Sequence, residues 1–102
     1  SAGVCIVLMT STLFRLGSIF ATPGALRVMN DLGMRVERLL GRHARGDWGD
    51  LDSEDRAAND RAVLAGDERI LSSYDLADSG ERVWIITEAD RSVTTLLLPS
   101  EY

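Results

Sequence analysis

The sequence predicts an α+β fold: three helices packed on a three- to four-stranded antiparallel sheet with a C-terminal β-meander. Three observations carry this prediction. Residues 69–98 hold three runs rich in Val, Ile, Thr, Tyr and Trp, joined by two short turns. Residues 22–66 hold three segments with helix start and stop signals. The chain has 102 residues, 45% of them apolar, and shows no repeat, low-complexity tract or Pro/Gly/Ser linker. One domain over residues 1–102 is therefore expected.

The elements can be justified in order. Gly3 to Met9 is an apolar run, read as an extended strand over 3–8 or a poorly ordered tail. It is too short to span a bilayer and lacks the basic start and A-x-A-like cleavage site of a secretory signal. Met9 is a candidate natural start, which would leave residues 1–8 as an extension. Residues 13–21 read as a further strand of the sheet, with Gly17 breaking the alternation. It is expected to cover a sheet edge, because Leu13, Leu16, Ile19 and Phe20 would otherwise face solvent. An edge strand of this kind makes the chain a candidate homodimer.

Thr22 is a good N-cap and Pro23 suits the first helical position. Leu26 and Met29 give that helix an apolar face, and Gly33 stands at C′. A second helix is predicted from about Met34 to Arg45, with Val36, Leu39, Leu40 and His43 on one side and Gly46 at C′. Residues 47–51 form a short linker, pinned to the core by Trp48 and Leu51. Asp52 or Ser53 caps a third helix, Glu54 to about Ala65, whose apolar face is read as Ala57, Ala58, Arg61, Val63 and Leu64. In the sheet, Ile70, Ser72, Tyr74 and Leu76 face one way. Val83, Ile85 and Thr87 oppose Trp84, Ile86 and Glu88, and Val93, Thr95 and Leu97 oppose Thr94, Leu96 and Leu98. Asp78-Ser79-Gly80 and Ala89 to Ser92 supply the turns, and Pro99 ends the last strand. Both Trp48 and Trp84 are expected to be substantially buried.

The net charge is −5 and the isoelectric point about 4.7, which opposes strong binding to nucleic acid phosphates. All 11 basic residues are arginine, as a GC-rich coding sequence or a preference for bidentate carboxylate and phosphate contacts would give. Cys5, the single cysteine, cannot form an internal disulfide and reads as a small buried hydrophobe. A reducing, cytoplasmic setting is expected, with no membrane association.

Few residue constellations suggest chemistry. His43 is the only histidine, and Gly46 separates it from Asp47, so metal and cofactor binding are not expected. It reads as a helix C-terminal residue that favours the dipole. The acids from Asp47 to Asp60 do not make a calcium loop: counted from Asp50, the Gly and Glu positions hold Asp55 and Arg61. No nucleophile elbow, P-loop or dinucleotide fingerprint occurs. The strongest basic feature is Arg35, Arg38, Arg42 and Arg45, a stripe along the second helix. It is either a solvated face paired with nearby acids or a ridge for an anion or acidic protein.

Two stretches resemble a known group. They are Ala21-Thr22-Pro23-Gly24-Ala25-Leu26, and Arg42-His43-x-x-Gly46-Asp47-Trp48-Gly49 continuing through Ala58-Asn59-Asp60 to Trp84–Pro99. The pattern is similar to short bacterial plasmid-related proteins of mobile elements, sometimes labelled type I restriction endonuclease subunit M. That resemblance implies a mobile-element setting and no established activity. A methyltransferase subunit needs a cofactor domain and an Asn/Asp-Pro-Pro-aromatic motif. The two prolines, Pro23 and Pro99, lie far apart. Met34 stands where the group usually has a capping polar residue. The element order also resembles RelE/ParE-like toxins, which implies a ribonuclease with arginines such as Arg82 or Arg91, His43 and Tyr74 as candidate groups. The leading expectation is a non-enzymatic accessory protein acting through an unidentified protein partner. The alternatives are that toxin and an acidic inhibitor of a host defence system.

Overall fold

The computed structural model of the protein describes residues 12–76 and 79–102. The expected strand over 3–8, Cys5, Met9 and Asp78 of the first hairpin turn lie outside the described residues. The elements are β1 (Ser18–Ala21), α1 (Pro23–Asp31), α2 (Val36–Ala44), α3 (Ser53–Ala65), β2 (Ile70–Asp75), β3 (Arg82–Thr87) and β4 (Val93–Leu97), then a 3₁₀ turn over Pro99–Glu101.

The three helices and the meander form as expected, but the sheet is mixed rather than purely antiparallel. Its order is β1-β4-β3-β2. β2, β3 and β4 pair antiparallel, with Ser72 opposite Ile85 and Ile85 opposite Leu96. β1 runs parallel to β4, with Phe20 beside Thr95. The reason is topological. The helices carry the chain back to the end where β1 began, so β2 runs in the same direction as β1. Two hairpin reversals then leave β4 parallel to both.

The first strand is also shorter than the predicted 13–21. Gly17 has φ +66°, and a Cβ there would sit 2.2 Å from the Ser92 carbonyl oxygen. The chain bends at this glycine, and the residues before it leave the sheet. The Leu13 N–H donates to the Ala44 carbonyl at 2.8 Å, which places Phe14 against His43 and Trp48.

Local signals account for the helix ends. The Thr22 hydroxyl accepts from the Ala25 N–H at 3.1 Å, and Asp52 accepts from the Asp55 N–H at 2.8 Å. α2 starts later than predicted, with Arg35 as an N-cap that makes no side-chain capping bond.

The helices pack on one face of the sheet. Ala25 and Met29 of α1 and Leu39 and Leu40 of α2 meet Tyr74, Leu76, Val83, Ile85 and Leu96. A second cluster joins Trp48, Ala62 and Ile70, with Phe14, Leu51 and Val63 against it. Two predicted helix faces are corrected. Leu26 points outward, while Gly24, Ala25 and Met29 are the buried residues of α1. In α3 the buried residues are Asn59 and Ala62, whereas Leu64 is 88% exposed. On the opposite sheet face lie Phe20, Thr95, Ile86 and Leu71 in one cross-strand row. Trp84 is half-buried on that face and meets Tyr102 edge-on at 5.7 Å. Among the described residues, no helix is long and apolar enough to cross a membrane.

Candidate functional site

The two edges of the sheet are treated differently. At the β2 edge, alternate residues Leu71, Ser73 and Asp75 turn their backbone groups outward. Asn59 of α3 lies against Leu71: its Nδ2 donates to the Leu71 carbonyl at 2.6 Å, and its Oδ1 accepts from the Leu71 N–H at 3.2 Å. Next, the Ser73 N–H donates to the Trp48 carbonyl at 3.1 Å, and the Asp50 N–H donates to the Ser73 carbonyl at 2.6 Å. Finally, the Asp50 carboxylate accepts from the Asp75 N–H at 2.8 Å. The linker therefore acts as a short pseudo-strand, with a parallel bridge between Gly49 and Ser73. Gly49 is required there. Its φ is +77°, and a Cβ would sit 2.0 Å from the Ser73 carbonyl oxygen.

Other polar residues of the linker and helix stretch hold this seal in place. The Trp48 indole N–H donates to Asp60 at 3.0 Å. Arg56 donates to the carbonyls of Leu51 and Gly49 at 3.0 and 2.9 Å. The Tyr74 hydroxyl donates to the Asp47 carbonyl at 2.6 Å, and burial pushes its pKa up to about 12.

The β1 edge is different. Among the described residues β1 pairs only with β4, and the Ser18 and Thr22 N–H groups donate inward to the carbonyls of Ser92 and Leu96 at 2.9 Å each. Strand alternation turns the N–H and C=O groups of Ile19 and Ala21 outward. Among the described residues, none bonds to them. The side chains there are apolar and open, with Ile19 48% and Phe20 57% exposed.

His43 is placed otherwise than predicted. It is fully buried, between the Phe14 ring at 5.2 Å and the Trp48 ring at 5.9 Å. Its Nδ1 lies 2.5 Å from Ser72 Oγ and its Nε2 lies 2.9 Å from Thr87 Oγ1. Thr87 Oγ1 is 2.7 Å from Thr94 Oγ1, which donates to the Leu16 carbonyl at 2.7 Å. A carbonyl only accepts, so this end fixes the direction of the whole chain. Thr94 spends its proton on Leu16, so Thr87 donates to Thr94. His43 Nε2–H then donates to Thr87, and Ser72 donates to Nδ1. Burial drives the imidazole pKa down to about 3. A neutral ring cannot be the cationic helix cap expected from its position. The network instead ties α2 to β2, β3, β4 and the lead-in to β1.

The arginine stripe is split. Arg42 pairs with Asp47 at 2.8 Å, and its guanidinium lies 4.6 Å from the centre of the Tyr74 ring. Its hydrogen bond to Asp47 holds that carboxyl below the usual carboxylate range. Arg35, Arg38 and Arg45 are exposed, and among the described residues they form no ion pair.

The groups named for a ribonuclease do not converge. His43 is sealed in its network, and the Tyr74 hydroxyl is spent on Asp47. Arg82 pairs with Asp75 at 2.6 Å. Arg91, at φ +63°, donates to the carbonyls of Glu68, Glu88, Ala89 and Ala62, clamping α3 to the β3–β4 turn. Sequence reasoning missed Asn59, and no periodic signal marks it, because its role depends on where β2 lies. Among the described residues, no group of three His, Cys, Asp or Glu is placed to hold a metal ion. Comparison with known proteins finds no matching family model, no matching curated protein and no matching solved structure.

Proposed function

We propose that this protein is a non-enzymatic, cytoplasmic accessory protein of a bacterial mobile element. It acts through protein–protein contacts, and the outer edge of β1 is its contact surface. The observation that carries this reading is the contrast between the edges. At β2, linker backbone, the Asp50 carboxylate and the Asn59 side chain occupy the outward groups. At β1, outward backbone groups stand beside the exposed Ile19 and Phe20. A sheet edge of that kind takes up an added strand, with the backbone supplying affinity and the flanking side chains specificity. The exposed Arg35, Arg38 and Arg45 form a second, cationic surface suited to an acidic partner.

The test is affinity capture from the native host with wild-type, Phe20→Glu and Leu64→Glu baits, followed by binding assays on the purified captured protein. Capture that Phe20→Glu abolishes and Leu64→Glu preserves supports the reading. Equal capture by all three baits overturns β1 as the surface. Duplex DNA is expected to bind weakly, given the net charge of −5. Tight binding in an anisotropy titration at physiological salt, lost on substituting Arg35, Arg38 and Arg45, would instead make the cationic surface a nucleic acid site.

A further inference from the structure

We infer that the strand which completes β1 is β1 of a second copy of this chain, paired antiparallel about a two-fold axis through Phe20. The inference rests on the reading of β1 as the contact edge and names its partner.

The register follows from the strand itself. Ile19 and Ala21 present their N–H and C=O groups outward, so they must form the hydrogen-bonded pairs. An axis at Phe20 sets Ile19 opposite Ala21 of the other copy, and Ala21 opposite its Ile19. Each pair exchanges both backbone bonds. Moving the axis to Ile19 would set Ala21 opposite Gly17, which at φ +66° has already left the strand. Moving it to Ala21 would set Ile19 opposite Pro23, which has no N–H and begins α1. Gly17 and Pro23 thus bracket β1 so that the Phe20-centred register uses all of its outward groups.

The side chains agree with this arrangement. Phe20 would meet its symmetry mate as a non-hydrogen-bonded pair, the closer of the two antiparallel spacings. The row Leu71–Ile86–Thr95–Phe20 would then continue unbroken into the second subunit. Leu16 to Ala21 contains no charged residue, so like charges do not face each other across the axis. The sealed β2 edge supplies a further reason for a second copy. With β2 closed, extension of the sheet through its described edges runs β1 to β1, which gives a closed dimer and not a growing sheet.

Sedimentation and light scattering of the full chain should give twice the 11.2 kDa chain mass. Ile19→Pro removes one outward N–H and leaves the bonds to β4 intact, so it should stay folded. It should weaken dimerisation at least about tenfold. Phe20→Cys, in a Cys5→Ser background, should oxidise to a disulfide-linked dimer faster than Leu64→Cys. A wild-type chain that stays monomeric overturns the inference, as does a dimer that Ile19→Pro leaves unweakened or a Phe20→Cys chain that oxidises no faster than Leu64→Cys. If the wild type is monomeric and Phe20→Glu still abolishes capture of another protein, the second copy is wrong and the β1 surface stands. If neither dimerisation nor capture responds to β1, both are wrong.

Discussion

Lowering the pH from 7.5 to 5 should destabilise this protein through His43. The buried imidazole has its pKa driven down to about 3, while the same ring in the unfolded chain titrates near 6.5. Between those values the unfolded state takes up a proton that the folded state refuses. The stabilising effect of the neutral ring is therefore complete above about pH 6.5 and is lost progressively as pH falls toward 3. Each pH unit in that window costs about 1.4 kcal/mol, so the loss from pH 7.5 to 5 comes to about 2 kcal/mol. The carboxyls held low by their partners, Asp47, Asp90 and Glu101, also lose stability on acidification. Their window lies below the usual carboxylate range, so it does not overlap the upper part of the histidine window.

The assay is urea unfolding at a series of pH values, read by tryptophan fluorescence, on the wild type and His43→Gln. The wild type should show the slope, and the variant should be nearly flat between pH 7.5 and 5 while starting from a lower stability. Nitrogen NMR of the imidazole adds a second readout. The hydrogen-bond chain ending on the Leu16 carbonyl requires the Nε2–H tautomer, and it should persist at pH 5. A wild type as flat as His43→Gln, or a ring that titrates near 6.5 in the folded state, would refute the buried neutral network.

Three further outcomes follow from the same geometry. Asn59→Ala leaves the outward N–H and C=O of Leu71 without their partner and should cost about 2–3 kcal/mol in denaturant unfolding; a change near zero would show that water replaces the amide easily. Ser73 Oγ is buried without a hydrogen-bond partner among the described residues, so Ser73→Ala should raise stability by about 1 kcal/mol, and a measured loss would mean that the hydroxyl is satisfied in solution. Trp48, only 4% exposed between the helices and the sheet, should cost about 3–5 kcal/mol on truncation to Ala. Trp84, half-buried on the opposite face, should cost less, and equal costs would contradict their different placement.

The fold class was legible in the sequence because its signals are local. Thr22-Pro23, Asp52, Gly33 and Gly46 stop and start helices by chemistry that acts within one turn. The alternation in residues 70–76, 83–88 and 93–98 assigns side chains to faces through the geometry of a strand alone. Trp48 was readable as an anchor because its linker is short. The face of α3 was not readable, since an alanine-rich helix has little apolar periodicity and its orientation is set by Asn59 binding the backbone of β2, 12 residues away. Nor was the state of His43: a helix-terminal histidine suggests a cation, and only burial among Ser72, Thr87, Phe14 and Trp48 makes it neutral. The parallel placement of β1 likewise depends on a contact with β4 at the other end of the chain, with Phe20 beside Thr95. Periodicity and capping thus determined the elements and most of their faces. Tertiary structure decided which edge is sealed and which, among the described residues, is left unpaired, because a strand's outward hydrogen bonds depend on distant groups that no local pattern contains.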